Sequence, residues 1–378
     1  MTTDSVLSAS REDEISAYLR LDGIPKIGIA SLLKTAKMHG CRLLDIPALS
    51  RSDLVTSGWQ EQQIRYLCSA DTSLRRSRSR LFNWLNKSDT HHFIGFNDFA
   101  YPSSLKHLTR PPLFLLVAGQ IEALAFAQLA MIGTRSPSQY AKEVVDDLVS
   151  AIASNMDVAL TSGMALGIDG LSHRASLHHG MPTLAVLGCG IDIAYPKRHQ
   201  SLYYDIQESG AVISEFVPGT VPHASLFPRR NRIISGLAQG VIVVEAKIKS
   251  GTLVTAKYAL EQNKEVFAVP SAIYNPNAEG CHHLIKQGAK LIENAQDILD
   301  ELPFLAKNQE IVTNPQKSVN QDLASDPLLD SVGYSAISVD LIAKRTGMSV
   351  SDVLIQLLQY ELRGIVASTP EGYVKLRG

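Results

Sequence analysis

Three arginines fall within four positions in "SLFPRRNRIISGLAQGVIVVEA", residues 225–246. A guanidinium is costly to bury unless it is paired, so Arg229, Arg230 and Arg232 are expected at a rim, facing an anion. Pro228 suits the first turn of a helix, which sets Arg229 and Arg232 on one face and leaves Ile233, Ile234 and Leu237 for the buried side. Asn231 lies inside the cluster and counts with it. The internal alternative is that these arginines pair with carboxylates such as Glu215 or Glu245.

Four other stretches share the same chemistry. In "MIGTRSPSQYA", Gly133 permits a tight turn, Thr134, Ser136 and Ser138 offer hydroxyls at a helix start, and Arg135 adds a planar fork suited to phosphate. The spacing is not GxGxxG, so a dinucleotide is not implied. In "TSGMALGIDGLSHRA", Ser162 precedes Gly163, Gly167 and Gly170, which allow close backbone approach. Asp169 and His173 invite a catalytic reading, but no nucleophile stands at a defined spacing from them, and capping is the commoner use of such an aspartate. "GCGIDIAYPKRHQSLY" ends in Tyr195, Pro196, Lys197 and Arg198. "EAKIKSGTLVTAKYAL" sets Lys247, Lys249 and Lys257 around a Ser-Gly-Thr turn. Each stretch alone is explained by a capped helix with a solvated cation. Together they imply a polyphosphate, and a strand of nucleic acid rather than one nucleotide, because the cations span several loops. Tyr195, Tyr203 and Phe227 are available for base stacking, or equally for the core.

The net charge of −1 gives no global attraction for polyanions, so any such site is a local patch. Four cysteines show no metal-ligand spacing, which fits reduced thiols in a cytosol. Neither a metal nor a cofactor is expected. The first residues lack a basic stretch followed by an apolar one, and no run is long enough to span a bilayer, so a cytoplasmic protein with no membrane partner is expected.

The elements that must position these loops follow from the pattern of apolar runs. Residues 1–90 read as helical. There "LRLDGIPKIGIASLLKTA" places Gly23 and Gly28 around a proline, the spacing of a helix-hairpin-helix or of a plain tight turn. The basic stretch "LRRSRSRLFNWL" reads as a solvated helix face with Leu81, Trp84 and Leu85 turned inward. Residues 91–302 alternate short apolar runs with amphipathic segments. Strands are expected at Leu129–Ile132, Val158–Thr161, Thr183–Leu187, Ala211–Ser214, Val241–Glu245 and Glu265–Val269, with a weaker one at Lys290–Ile292. Fully apolar strands joined by helices specify a mostly parallel, doubly wound α/β sheet, whose ligands bind at the carboxyl ends of the strands. Residues 303–325 read as a linker. Residues 326–378 read as helix, glycine turn, longer helix and two short strands around "TPEG", a winged helix.

Six segments occur in an order that resembles the DNA-processing protein A (DprA/Smf) family: "IGTRSPSQYA", "SGMALGIDGLSHRASL", "AVLGCGIDIAYPKRH", "FPRRNRIISGLAQGVIVVEA", "SGTLVTAKYALEQNKEVFAVPS" and "GCHHLIKQGAKLI". The resemblance covers about 95–300 closely and the flanks more loosely. It implies an extended Rossmann-like domain that forms a homodimer, an N-terminal SAM-like helical domain and a C-terminal winged helix. The role it implies is binding and protecting single-stranded DNA in natural transformation and loading a RecA-type recombinase. By motif position it places Arg135, Ser162, Gly163, Lys197 and the Arg229–Arg232 cluster along the DNA. Gly133, Thr134, Ser136, Arg198, Lys249 and Lys257 join that set from the reading of the loops. Two positions depart from the family pattern: Ser271 stands where glycine is usual, and His282 where asparagine is usual.

Two other functions compete. The Gly251-Thr252 turn resembles the phosphate loop of Rossmann-type nucleoside-monophosphate phosphoribohydrolases, but Thr255 stands where such an enzyme needs a carboxylate, so a non-enzyme is expected. A transcription regulator would use the winged helix. Its longer helix, however, offers Gln356 and Gln359 beside Asp352 and Glu361, with Arg363 only at the end, which is poor chemistry for reading bases.

Overall fold

The computed structural model describes residues 9–69, 72–307, 327–333 and 336–376. Its centre is a nine-stranded sheet. The parallel part comprises β3 (Ala127–Ile132), β4 (Val158–Ser162), β5 (Thr183–Val186), β6 (Ala211–Ser214), β7 (Gly240–Val243), β8 (Glu265–Ala268) and β9 (Lys290–Leu291). From β3 the chain winds outward through β4 and β5 to β6, then returns to the other side of β3 for β7, β8 and β9. Strands β4 to β7 are buried along their whole length, as strands covered by helices on both faces must be.

Two strands are absent from the expected set. β1 (His91–Gly95) and β2 (Phe114–Gly119) pair antiparallel with each other, and β2 pairs antiparallel with β6. A search for apolar runs separated by crossover helices overlooks them, because antiparallel neighbours need no crossover. The run "FLLVAG" carries the ordinary strand signal, and all six of its residues are buried.

The helices that cover the sheet and approach its carboxyl edge are α7 (Gln139–Asn155), α8 (Ile168–His178), α9 (Gln200–Ser209), α10 (Leu226–Leu237), α11 (Gly251–Glu261), α12 (Glu279–Lys286) and α13 (Ala295–Glu301). Upstream lie α1 (Ala9–Asp22), α2 (Ile29–Met38), a 3-10 turn (Leu43–Ala48), α3 (Arg51–Thr56), α4 (Glu61–Cys68), α5 (Thr72–Leu85) and the single turn α6 (Ser103–Lys106). Leu81, Trp84 and Leu85 face inward as the pattern of α5 requires. Gly23 is fixed by packing: a Cβ there would lie 1.8 Å from the Tyr66 hydroxyl. These helices share one apolar core with the sheet, in which Tyr18 tilts against Phe93 of β1 with ring centroids 5.6 Å apart. Arg11 of α1 also bonds Asp98 and the Phe93 carbonyl. The expected boundary near residue 90 therefore falls inside a single compact unit that ends at Ala306. The first residues of the expected linker are ordered: Pro303–Leu305 form a 3-10 turn with Leu305 buried, and Met156 bridges Ala306. The rest of that linker lies outside the described residues.

The second unit holds the C-terminal residues and the stretch Ser138–Val144. Its helices are α14 (Pro327–Ser331), α15 (Val339–Thr346) and α16 (Val350–Leu362), followed by β10 (Val366–Thr369) and β11 (Gly372–Lys375), an antiparallel pair. Gly347 closes α15 with φ 72°, a left-handed conformation that glycine adopts without steric cost. Leu328, Val332, Ile342, Val353, Leu357 and Val366 form its core, and the whole is a winged helix.

Leu184 is fully buried on β5, inside the parallel part of the sheet. Leu184→Ala is expected to destabilise the first unit by about 2–5 kcal/mol, read as a lowered urea midpoint with little change in slope.

Candidate nucleic-acid interface

β3 has β4 on one side and β7 on the other, so the winding direction reverses between β3 and β7. A crevice opens beyond the carboxyl ends of two such strands. The loop after β3 is tied to its neighbours by backbone. The Thr134 amide donates to the Glu245 carbonyl at 2.7 Å, and the Ile168 amide donates to the Thr134 carbonyl at 3.1 Å. The Thr252 hydroxyl donates to the Gly133 carbonyl at 2.9 Å. Gly167 has φ 81°, and a Cβ on it would stand 2.2 Å from the Thr134 oxygen. Gly133 and Gly167 thus let loops approach one another rather than a ligand. Arg135 and Ser136 are exposed at the crest of this frame.

Behind the crest lies a buried polar strut. Ser162 is fully buried and donates to the Met131 carbonyl at 2.6 Å, so it positions strands rather than meeting solvent. Arg230 is only 5% exposed. Its Nη1 donates to the Gly163 carbonyl at 2.6 Å and to the Val186 carbonyl, and its Nε donates to Asn231 Oδ1 at 3.1 Å. This corrects the expectation that all three arginines face outward: Arg230 points into the sheet and joins the ends of β4 and β5 to α10. Burial lowers its pKa to about 10, while the nearby Asp169 acts the other way. Burial raises the Asp169 pKa and Arg230 opposes that shift. Asp169 also accepts the Ala165 amide at 3.3 Å, so it braces the loop at the start of α8. His173 is fully buried, with Nδ1 bonded to the Thr183 hydroxyl at 2.7 Å. Burial, aided by His199, Arg230 and Arg174, depresses its pKa to about 3. A neutral imidazole sealed from solvent has no access to a substrate.

The loop after β5 carries the expected cations outward. Lys197 and Arg198 are exposed. Tyr195 is 43% exposed and stacks on Phe227 with centroids 5.7 Å apart and planes at 29°. Phe227 in turn sits over Gly188, where a Cβ would lie 2.6 Å from its ring. Tyr203, the third aromatic candidate, belongs to the core and donates to the Ile191 carbonyl at 2.6 Å. Lys249 is exposed in the loop after β7, whereas Lys257 sits midway along α11, 3.8 Å from Glu261.

Arg229 and Arg232 take the internal alternative in part. Both reach the same Glu215 oxygen, at 3.2 and 2.5 Å, and the Glu215 side chain is only 3% exposed. Arg232 is 12% exposed and Arg229 48%, with the Arg229 guanidinium 5.1 Å above the Phe216 ring. The triad lines a cavity of about 710 Å³ together with Asp22, Gly28 at the start of α2 and Tyr258. Glu215 is the first of the two carboxylates that alternative names, whereas nothing in the spacing of the motifs indicated Phe216.

Fold and site together define a doubly wound α/β protein with an appended winged helix, whose carboxyl edge presents cations and a stacked aromatic pair. Residues 92–303 match the family described as DNA recombination-mediator protein A, and residues 313–372 match the DprA winged helix domain. Protein Smf of Escherichia coli is 42% identical over 308 residues, covering 80% of this chain and 82% of its own. DNA processing protein DprA of Bacillus subtilis is 44% identical over 204 residues, 54% of this chain and 68% of its own. The X-ray structure of DprA from Streptococcus pneumoniae superposes with a TM-score of 0.66 at 33% identity, over 77% of this chain and 97% of that one. DprA from Helicobacter pylori, solved to explain its single-stranded DNA binding mode, gives 0.51 at 27% identity, over 57% and 98%. The chain belongs to the DNA recombination-mediator protein A family. The two departures from the family pattern meet in space: His282 Nε2 lies 3.0 Å from the Ser271 carbonyl, and the Ser271 hydroxyl accepts from Asn275 at 3.1 Å.

Two outcomes follow from the buried charges. Arg232→Ala leaves Glu215 with only a half-exposed partner and is expected to cost about 3 kcal/mol or more, whereas Arg229→Ala costs about 1 kcal/mol or less; thermal melting of the two variants separates them. The folded-state pKa of His173 lies below its unfolded value, so the unfolded chain holds the extra proton in between. Its contribution is complete above about pH 6.5 and is lost as pH falls toward the folded value, at about 1.4 kcal/mol per pH unit. His173→Gln should flatten the acid side of the stability profile by about that slope in urea titrations across the window.

Proposed function

We propose that this protein binds single-stranded DNA without sequence preference along the carboxyl edge of its parallel sheet. On this reading it protects incoming DNA during natural transformation and delivers it to a RecA-type recombinase. It acts in the cytoplasm, as a homodimer through the Rossmann-like domain. The observation that carries the reading is the concentration of exposed cations, Arg135, Lys197, Arg198 and Lys249, on the loops of one sheet edge in a chain of net charge −1. Tyr195 stacked on Phe227 adds an aromatic platform beside Lys197, and stacking tolerates any base. Family membership supports the same role, as does the single-strand binding described for the Helicobacter pylori relative.

Within the cluster the roles divide. Arg135 and Lys197 meet phosphates directly, and the exposed half of Arg229 borders the same track. Arg230, Arg232 and Ser162 hold the loops that carry them. Binding rather than hydrolysis is favoured because Thr255 is both chemically unable to act as a carboxylate and only 2% exposed on α11. The buried thiols do not offer a nucleophile either: burial raises Cys189 to about 11 and Cys281 to about 12. No helix among the described residues is long and apolar enough to cross a membrane.

Each phosphate contact on a single strand contributes about −0.7 to the slope of log affinity against log salt. Arg135→Ala with Lys197→Ala is therefore expected to weaken binding alike for every sequence and to flatten that slope by about 1.4. Arg232→Ala should lower the melting temperature and leave the slope of the folded fraction unchanged. Titrations against single strands and duplex of equal length check both. Tighter binding to duplex, or a slope that responds to Arg232 and not to Arg135 and Lys197, would overturn the assignment.

A further inference from the structure

We propose, building on the strand-binding reading above, that the arginine-bearing face of α5 continues the nucleic-acid track beyond the sheet. It would hold backbone phosphates of the same strand as that strand leaves the carboxyl edge. The helix "TSLRRSRSRLFNWL" holds four arginines and no acid in 14 residues. Leu81, Trp84 and Leu85 are buried, and Trp84 stacks on His91 with ring centroids 4.1 Å apart, so its apolar side is fastened beside β1. Arg75, Arg76, Arg78 and Arg80 are exposed on the rest of its circumference. They are not equivalent. Arg78 lies 3.6 Å from Glu12 of α1 and 5.3 Å above the Phe82 ring, so it already has partners. Among the described residues, no carboxylate forms an ion pair with Arg75, Arg76 or Arg80. Arg76 and Arg80 stand one turn apart on one face, about 6 Å along the axis, with Arg75 next to Arg76. Like charges at that spacing weaken a helix rather than support it, and an anion laid across them relieves the repulsion.

The place of this face in the fold selects the ligand. Arg80 reaches the segment between β6 and α10, where a Cβ on Gly219 would lie 2.6 Å from its Nη1. The Gly219 amide donates to Asp192 Oδ1 at 2.8 Å, and the Gly190 amide donates to the Thr220 carbonyl at 2.8 Å. Gly190 and Asp192 belong to the loop after β5, which also carries Tyr195, Lys197 and Arg198. Two loops tied to each other thus join Arg80 to the cations at the sheet edge. β6 lies beside β5, about 5 Å away. Along the edge the order is therefore Lys249, Arg135, Lys197 with Arg198, then Arg80 and, one turn farther, Arg76. Two acids border this line, and both are engaged: Asp192 by the Gly219 amide, Glu12 by Arg78. A row of this kind suits a polyanion with one charge per repeat, whereas a single nucleotide would occupy only part of it.

Oligo-dT strands of about 4 and about 20 nucleotides separate the two zones, because the loops from β7 to β5 span three strand intervals, about 14 Å. With the wild-type chain, the slope of log affinity against log salt is expected to be steeper for the longer strand. Combining Arg75→Gln, Arg76→Gln and Arg80→Gln should flatten that slope by about 2, at about 0.7 per lost phosphate contact, and leave affinity for the shorter strand within about twofold. The melting temperature should not move, since all three residues are exposed. Lysine at the same three positions should restore the slope, and Arg78→Gln should leave it as it is. A triple glutamine variant that keeps the wild-type slope on the longer strand would overturn the proposal; this is also the result if α5 serves an acidic protein instead. Equal losses on both lengths would overturn it as well, because α5 would then act on the edge itself. If Arg135→Ala with Lys197→Ala leaves binding of both lengths intact, the strand-binding reading fails, and the extended track fails with it.

Discussion

The Arg230 guanidinium, buried beneath the carboxyl edge of the sheet, is the interaction on which the edge depends. Three elements that never meet in sequence end at this one group: the Gly163 carbonyl after β4, the Val186 carbonyl at the end of β5, and α10, which carries the arginine. A cation taken out of water needs its donors matched, and only loops brought to hydrogen-bonding distance can match them. The close approach of Gly163, where a Cβ would sit 2.7 Å from Arg230, is part of the same arrangement. The exposed cations stand on loops whose roots are fixed by this strut, by the Glu215 triad and by the ties from Thr134 and Thr252.

This arrangement separates holding from binding within a single motif. Arginine is suited to both tasks, since its planar fork satisfies carbonyls and carboxylates inside as well as phosphates outside. In the cluster from Arg229 to Arg232 the helical repeat decides which task each residue takes. Arg230 follows the buried face of α10 with Ile234, whereas Arg229 and Arg232 follow the face toward Glu215 and the cavity. If the edge binds a strand as proposed, a frame fixed in this way loses little order on binding.

The winged helix adds a different kind of surface. Its longer helix keeps the fold of a DNA reader but offers leucine, isoleucine and valine where such a reader offers hydrogen-bond donors. Recognition by the sheet edge, on the reading proposed above, is electrostatic and weakens with salt, whereas burial of apolar surface is not screened by it.

Much of this was legible in the sequence for a physical reason. Fully buried parallel strands must be continuous apolar runs, so β3 to β8 announce themselves, and the crossover helices between them fix the parallel class. The edge at which the glycines and cations gather follows from that winding alone. The inward turn of Leu81, Trp84 and Leu85 follows from helical period. Tertiary structure alone decided what the cations do. Residue type cannot tell whether a guanidinium meets a phosphate or a carbonyl, because both are acceptors. Only the distance of Arg230 from Gly163 and Val186, and of Arg229 and Arg232 from Glu215, assigns them. The strand β2 carried a local signal, but its antiparallel pairing with β6, the placing of Tyr203 in the core and of Tyr195 at the rim, and the contact between Ser271 and His282 depend on neighbours that only folding brings together.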